Sequence, residues 1–150
     1  MLLTVRDCCV PHDYVLTPDG RADIEDIALA VRAAESDADA FFSRNAITAG
    51  MRQLFETGLA RLDGRSQQAD FLLAQAMGGG KTHLMVSFAL IAKSAAVRQR
   101  VLDEAGISIP TGFGSARVVA FSGRNNPDHY FWGEIAAQLG KADTAFNRHC

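Results

Sequence analysis

Apolar positions recur at helical spacing in several stretches of the chain. From Asp23, the spacing Ile24, Ile27, Val31 predicts an amphipathic helix fading near Ser36-Asp37, with Asp23, Glu25 and Asp26 suited to the positive end of its dipole. Phe41-Phe42 opens a second helical region. Thr48 is then placed as N-cap of a helix carrying Met51, Leu54, Phe55, Leu59 and Leu62 on one side, closed by Asp63-Gly64-Arg65-Ser66. Residues 82–97 are nearly free of Gly, Pro and acid and apolar around most of the circumference, which predicts a helix buried on more than one side. Ala105-Gly106 ends that helical reading, and a last helix from about Tyr130 stops with Gly140 in the C′ position.

Two shorter apolar runs break the helical period. Asp70-Phe71-Leu72-Leu73-Ala74-Gln75 and Ala116-Arg117-Val118-Val119-Ala120-Phe121 are bounded by polar and glycine-rich stretches, as strands buried on both faces are. Strand, helix, strand, helix is the alternation of an α/β fold with a parallel sheet, preceded by N-terminal helices. Residues 1–20, with Pro11 and the turn Pro18-Asp19-Gly20, read as a loosely structured arm. No repeat or low-complexity tract interrupts the chain.

Composition narrows the class. The 150 residues are 48% hydrophobic and 21% charged, which suits one folded unit and excludes disordered or collagen-like chains. Lys and Arg total 15 against 17 Asp and Glu, for a net charge of −2, so the chain carries no direct nucleic-acid signal. No segment reaches the ~20 apolar residues of a bilayer span. Cys8, Cys9 and Cys150 form neither a disulfide framework nor a metal-ligand spacing, and a reducing cytoplasm is the expected compartment.

Between the first apolar run and the buried helix stands Gln75-Ala76-Met77-Gly78-Gly79-Gly80-Lys81-Thr82, which reads as a phosphate-binding loop of the Walker A kind. Glycines let successive backbone N–H groups turn around a phosphate, and the following helix adds its positive end. Lys81 reaches the β and γ phosphates, and the Thr82 hydroxyl holds Mg²⁺. Met77, Gly78, Gly79, Gly80, Lys81, Thr82 and His83 are the expected cofactor-binding residues, with Thr82 the expected metal ligand. His83 reads equally as a packed histidine. The full pattern G-x-x-x-x-G-K-[ST] wants glycine where this chain has Gln75. The bland alternative is a glycine turn that merely joins two elements, for which Lys-Thr has no purpose.

Hydrolysis also requires a metal-binding carboxylate at a strand end. Val118-Val119-Ala120-Phe121 runs instead into Ser122-Gly123-Arg124, and Asp128 and Glu134 read as a loop acid and a helix-surface acid. No catalytic residue is therefore assigned. Either the protein binds nucleotide without hydrolysing it, or the sheet is cut short after its second strand and helix; the second reading is preferred. The four histidines lack metal-ligand spacing. Tyr130, Phe131 and Trp132 read as core fillers, with base stacking the alternative. Arg44, Asn45 and Arg124 read as solvated, with nucleotide contact the alternative.

The run Phe41-Phe42-Ser43-Arg44 with Thr48 and Gly50-Met51, then Met77-Gly78-Gly79-Gly80-Lys81-Thr82-His83, then Val118-Val119 leading to Trp132-Gly133-Glu134-Ile135-Ala136 and Leu139-Gly140, resembles a known family. It is similar to the N-terminal part of large bacterial ATP-binding proteins classed as domain of unknown function 499, over about residues 41–140. That family's loop also lacks the first Walker glycine. Members resemble AAA-type P-loop ATPases and often occur beside DNA methyltransferases and helicases in anti-phage defence islands. The resemblance implies an ATPase (NTP hydrolase) of a DNA-modification or defence system that uses ATP and Mg²⁺, with methyltransferase or helicase subunits as partners. It divides the chain into an N-terminal arm and helix, 1–40, and the first part of a P-loop ATPase domain, 41–150. The rivals are an assembly module that binds nucleotide without hydrolysis and a small-molecule kinase, although no Arg-rich lid follows Lys81.

Overall fold

The computed structural model describes residues 27–74, 79–122 and 131–140. Six helices form among these residues: α1 (Ile27–Ser36), α2 (Ala38–Ser43), α3 (Ala49–Leu62), α4 (Lys81–Lys93), α5 (Ala95–Glu104) and α6 (Phe131–Gln138). The centre is α4, packed against α1, α3 and α5, while α2 bridges α1 and α5. Leu84, Val86, Ser87, Ala89, Leu90, Ile91 and Ala92 of α4 are all buried, so this helix is enclosed on more than one side as its composition predicts. Phe55 and Leu59 of α3, Val101 and Leu102 of α5 and Val31 of α1 complete the core around it.

Local chemistry sets the helix boundaries. Thr48 caps α3, its hydroxyl accepting from Met51 N–H at 3.3 Å. Asp37 caps α2 by accepting from Ala40 N–H at 2.8 Å. The expected helix over 82–97 is divided at Ser94, which takes extended backbone (φ −123°, ψ 119°) and ends α4 while capping α5 through Val97 N–H. A serine hydroxyl offers the backbone this alternative to a helical bond, which the apolar pattern does not register. Gly58 sits mid-helix in α3 because Phe88 crosses there: a Cβ at that position would lie 2.6 Å from the ring.

Three of the last four carbonyls of α4 are satisfied, each from a different source. Leu90 O accepts from Ser94 N–H at 3.1 Å, and Ala92 O accepts from Ala116 N–H at 2.9 Å. Ile91 O accepts from Arg98 Nη1 at 2.9 Å. Arg98 is only 2% exposed, and its Nη2 also donates to Phe113 O at 2.7 Å and Gly114 O at 3.0 Å. Its guanidinium lies 4.1 Å from the Phe113 ring centroid, so one side chain ties α4, α5 and residues 113–114 together. Asp63 holds the same connection from the other side, accepting from Gly112 N–H at 2.6 Å and from Arg65 Nε at 2.7 Å.

The parallel sheet expected from the sequence is not formed. Among the described residues there is no strand, and both apolar runs lie outside regular secondary structure. Phe71 and Leu73 are half-buried while Leu72 is 90% exposed, so the first run packs one face rather than two. An apolar run reports burial, but a strand also needs a neighbour to pair its N–H and C=O groups, and neither run meets one. The α/β P-loop class is therefore replaced by a helical architecture, and the count of two strands behind the idea of a sheet cut short does not apply. The arm at 1–20, the acids preceding α1 and Tyr130 lie outside the described residues.

Candidate functional site

The second half of the glycine-rich stretch forms the entrance to α4. Gly80 is the N-cap with φ +77° and ψ 17°, a left-handed conformation that glycine adopts without steric cost. No side chain caps this helix end. The first intrahelical bond runs from Leu84 N–H to Gly80 O at 2.9 Å, so the N–H groups ahead of it need acceptors from outside the helix. Gly79 and Gly80 are exposed, and Lys81 and Thr82 are half-buried in the first turn. Gln75, Ala76, Met77 and Gly78 lie outside the described residues.

Lys81 and Thr82 stand at the edge of an open trough of about 820 Å³. It is lined by Met85, Phe88, Ala89 and Ala92 of α4, by Phe71, Leu73 and residues 116–121, and by side chains of α1, α3 and α6. A hydroxyl, an ammonium and a helix N-terminus thus adjoin an apolar basin. The arrangement suits an anionic group at the glycine end, because the helix dipole and the lysine both favour negative charge there.

His83, the last of the expected binding residues, is stacked on Phe41 of α2 with centroids 4.7 Å apart and an interplanar angle of 19°. Its Nε2 is buried without a hydrogen-bond partner among the described residues, and burial pushes its pKa below the usual histidine range. The ring is a packed link between the start of α4 and α2. Ser87 Oγ donates to the His83 carbonyl at 2.7 Å, reinforcing the first turn.

Glu134 lies in the first turn of α6 and accepts from Gln138 Nε2 at 2.8 Å, as a helix acid would. Asp128 and Arg124 lie outside the described residues. Phe131 and Trp132 do not fill the core: they are 49% and 56% exposed, in edge contact with one another, with Phe131 also meeting Phe121. Two features of this region were invisible in the sequence, the buried Arg98 and a clamp of Gln138 on Ala120, since neither residue type nor spacing marks a polar side chain that bonds to distant backbone. No helix among the described residues is long and apolar enough to cross a membrane.

Comparison with known proteins adds one finding. Residues 21–105, more than half of the chain, match the DUF499 N-terminal domain. No curated protein and no solved structure matches the chain.

Proposed function

The chain belongs to the DUF499 N-terminal domain family, and from that premise we propose that it binds Mg·ATP at the glycine-rich entrance to α4. The observation that supports this most directly is the left-handed Gly80 capping α4 without a side-chain cap, with Lys81 and Thr82 in the turn that follows. This reading draws on the helix N-terminus and the glycines and does not require a sheet. Gly79 and Gly80 offer close backbone approach, Lys81 supplies positive charge to the β and γ phosphates, and the Thr82 hydroxyl is the chain's contribution to Mg²⁺. The bound metal would neutralise phosphate charge. No carboxylate of this chain is assigned to catalysis, so nucleotide binding without turnover is the expected behaviour. The wider role we propose is that of an ATP-binding component of a cytoplasmic DNA-modification or anti-phage defence system, acting with methyltransferase or helicase subunits.

The test is calorimetry of Mg·ATP with the 150-residue chain and with Lys81→Ala, with phosphate release followed in parallel. Losing a charge-assisted phosphate contact of about 1.5–3 kcal/mol weakens binding by roughly 10- to 150-fold. Equal affinity in the two proteins, or no binding by a folded parent, would remove the proposal.

A further inference from the structure

The segment 116–121 has a bonded side and an open side. Ala116 N–H donates to Ala92 O at 2.9 Å. Ala120 N–H donates to Gln138 Oε1 at 3.1 Å, and Gln138 Nε2 donates back to Ala120 O at 2.7 Å. Ala120 therefore presents its N–H and C=O to the same partner, as an extended residue does in the hydrogen-bonded pair of a ladder, with the Gln138 amide standing in for the neighbouring strand. In extended backbone these groups alternate sides residue by residue, so positions 116 and 120 face one way and 117, 119 and 121 the other. The backbone groups of Arg117, Val119 and Phe121 have no partner among the described residues.

The trough runs along this segment. All six consecutive residues from Ala116 to Phe121 line it. A cavity touching one face of an extended chain would meet every second residue; one that meets all of them lies along the chain's edge, where the backbone groups are. Apart from Lys81 and Thr82 at the start of α4, its other described walls are apolar; Arg117, an exposed cation, borders it along the segment, and no described carboxylate does.

We infer that this edge receives an extended apolar segment of a partner protein by strand addition. The partner segment is rich in β-branched residues and carries a carboxylate that meets Arg117. Backbone pairing to positions 117, 119 and 121 supplies register, and the trough takes the alternate side chains. An open edge beside an apolar basin is the arrangement that strand addition uses, and it is otherwise an aggregation hazard.

The probe is a fluorescent synthetic hexapeptide of alternating valine and threonine with one aspartate, titrated by anisotropy into the 150-residue chain. A second peptide has the same sequence N-methylated at alternate amides, which abolishes pairing and keeps the side chains. The N-methylated peptide is expected to bind at least tenfold more weakly, as is the parent peptide to Val119→Pro, while Arg117→Glu weakens it several-fold. Val119 N–H has no described partner, so Val119→Pro should retain the parent's circular dichroism; if it unfolds, the N-methylated comparison on the parent protein decides. Equal binding of both peptides, or no binding at millimolar peptide, overturns the inference. Dimerisation of the chain abolished by Val119→Pro would identify a second copy as the occupant and overturn the assignment to a partner.

Discussion

Replacing Arg98 with methionine keeps the aliphatic stem and removes the guanidinium, which isolates the stabilising effect of its three hydrogen bonds. Ile91 O, whose bond from Arg98 is buried, would lose a donor that no neighbour replaces. An unpaired buried carbonyl costs about 1–3 kcal/mol. Phe113 O and Gly114 O lose bonds that are only part-buried, so water recovers much of their energy and about 1 kcal/mol is lost between them. The contact with the Phe113 ring adds about 0.5–1 kcal/mol. Against these losses, the variant no longer buries a cation, whose guanidinium pKa is already pushed down by that burial. The expected net destabilisation is about 3 kcal/mol, a sizeable part of a stability of about 5–15 kcal/mol. In urea, followed by helical circular dichroism, the midpoint should fall by roughly 1–2 M with unchanged slope. Arg98→Lys should fall between the two, since an ammonium cannot span three carbonyls on two segments. A methionine variant whose midpoint lies within about 0.3 M of the parent's would refute the assignment, because at ordinary slopes that is well under 1 kcal/mol.

Two further perturbations test other parts of the frame. The Arg65 guanidinium, and after it Gly112 N–H, hold the Asp63 carboxyl below its ordinary value of 3.8. The stability this contributes is complete above that value and is lost as pH falls through the folded-state pKa, so the parent's urea midpoint should drop more steeply than that of Asp63→Asn below about pH 4. Gly80→Ala and Gly64→Ala both force alanine into a left-handed backbone, with φ of +77° and +75° and open space around each, so each should cost about 1 kcal/mol in the same unfolding assay. Only Gly80→Ala should also weaken Mg·ATP in calorimetry; equal effects of the two on nucleotide affinity would separate the glycine entrance from binding.

Much of the helical frame was legible because it is written in local chemistry. Thr48 capping, the close at Asp63-Gly64 and the all-round burial of α4 follow from residue types within a few positions of the feature. The break at Ser94 was not, since a single hydroxyl decided against an otherwise unbroken apolar helix. The two expected strands failed for a different reason. Their composition is that of buried extended chain, and residues 116–121 do lie along an apolar basin, but pairing depends on a neighbour that no local pattern encodes. At the candidate site, Lys81, Thr82 and the glycine at the helix entrance fall where the spacing placed them. The stacking of His83 on Phe41 depends on how α2 crosses α4, a tertiary fact beyond the reach of spacing.

Ser94 has a mechanical consequence. It is at once the C-cap of one helix and the N-cap of the next, so α4 and α5 are joined through this single residue. The angle between them is set by the two dihedrals of one residue, and there is no slack to absorb a change in length. One residue added at this corner would turn everything after it by about 100° about the helix axis and advance it by ~1.5 Å. Arg98, which reaches back from α5 to the carbonyl of Ile91, would then aim at a different face. By contrast, several described residues after Leu62 and several after Glu104 lie outside regular elements. Variation in chain length therefore has natural places to accumulate on either side of the α4–α5 corner, while the corner itself behaves as a single machined part.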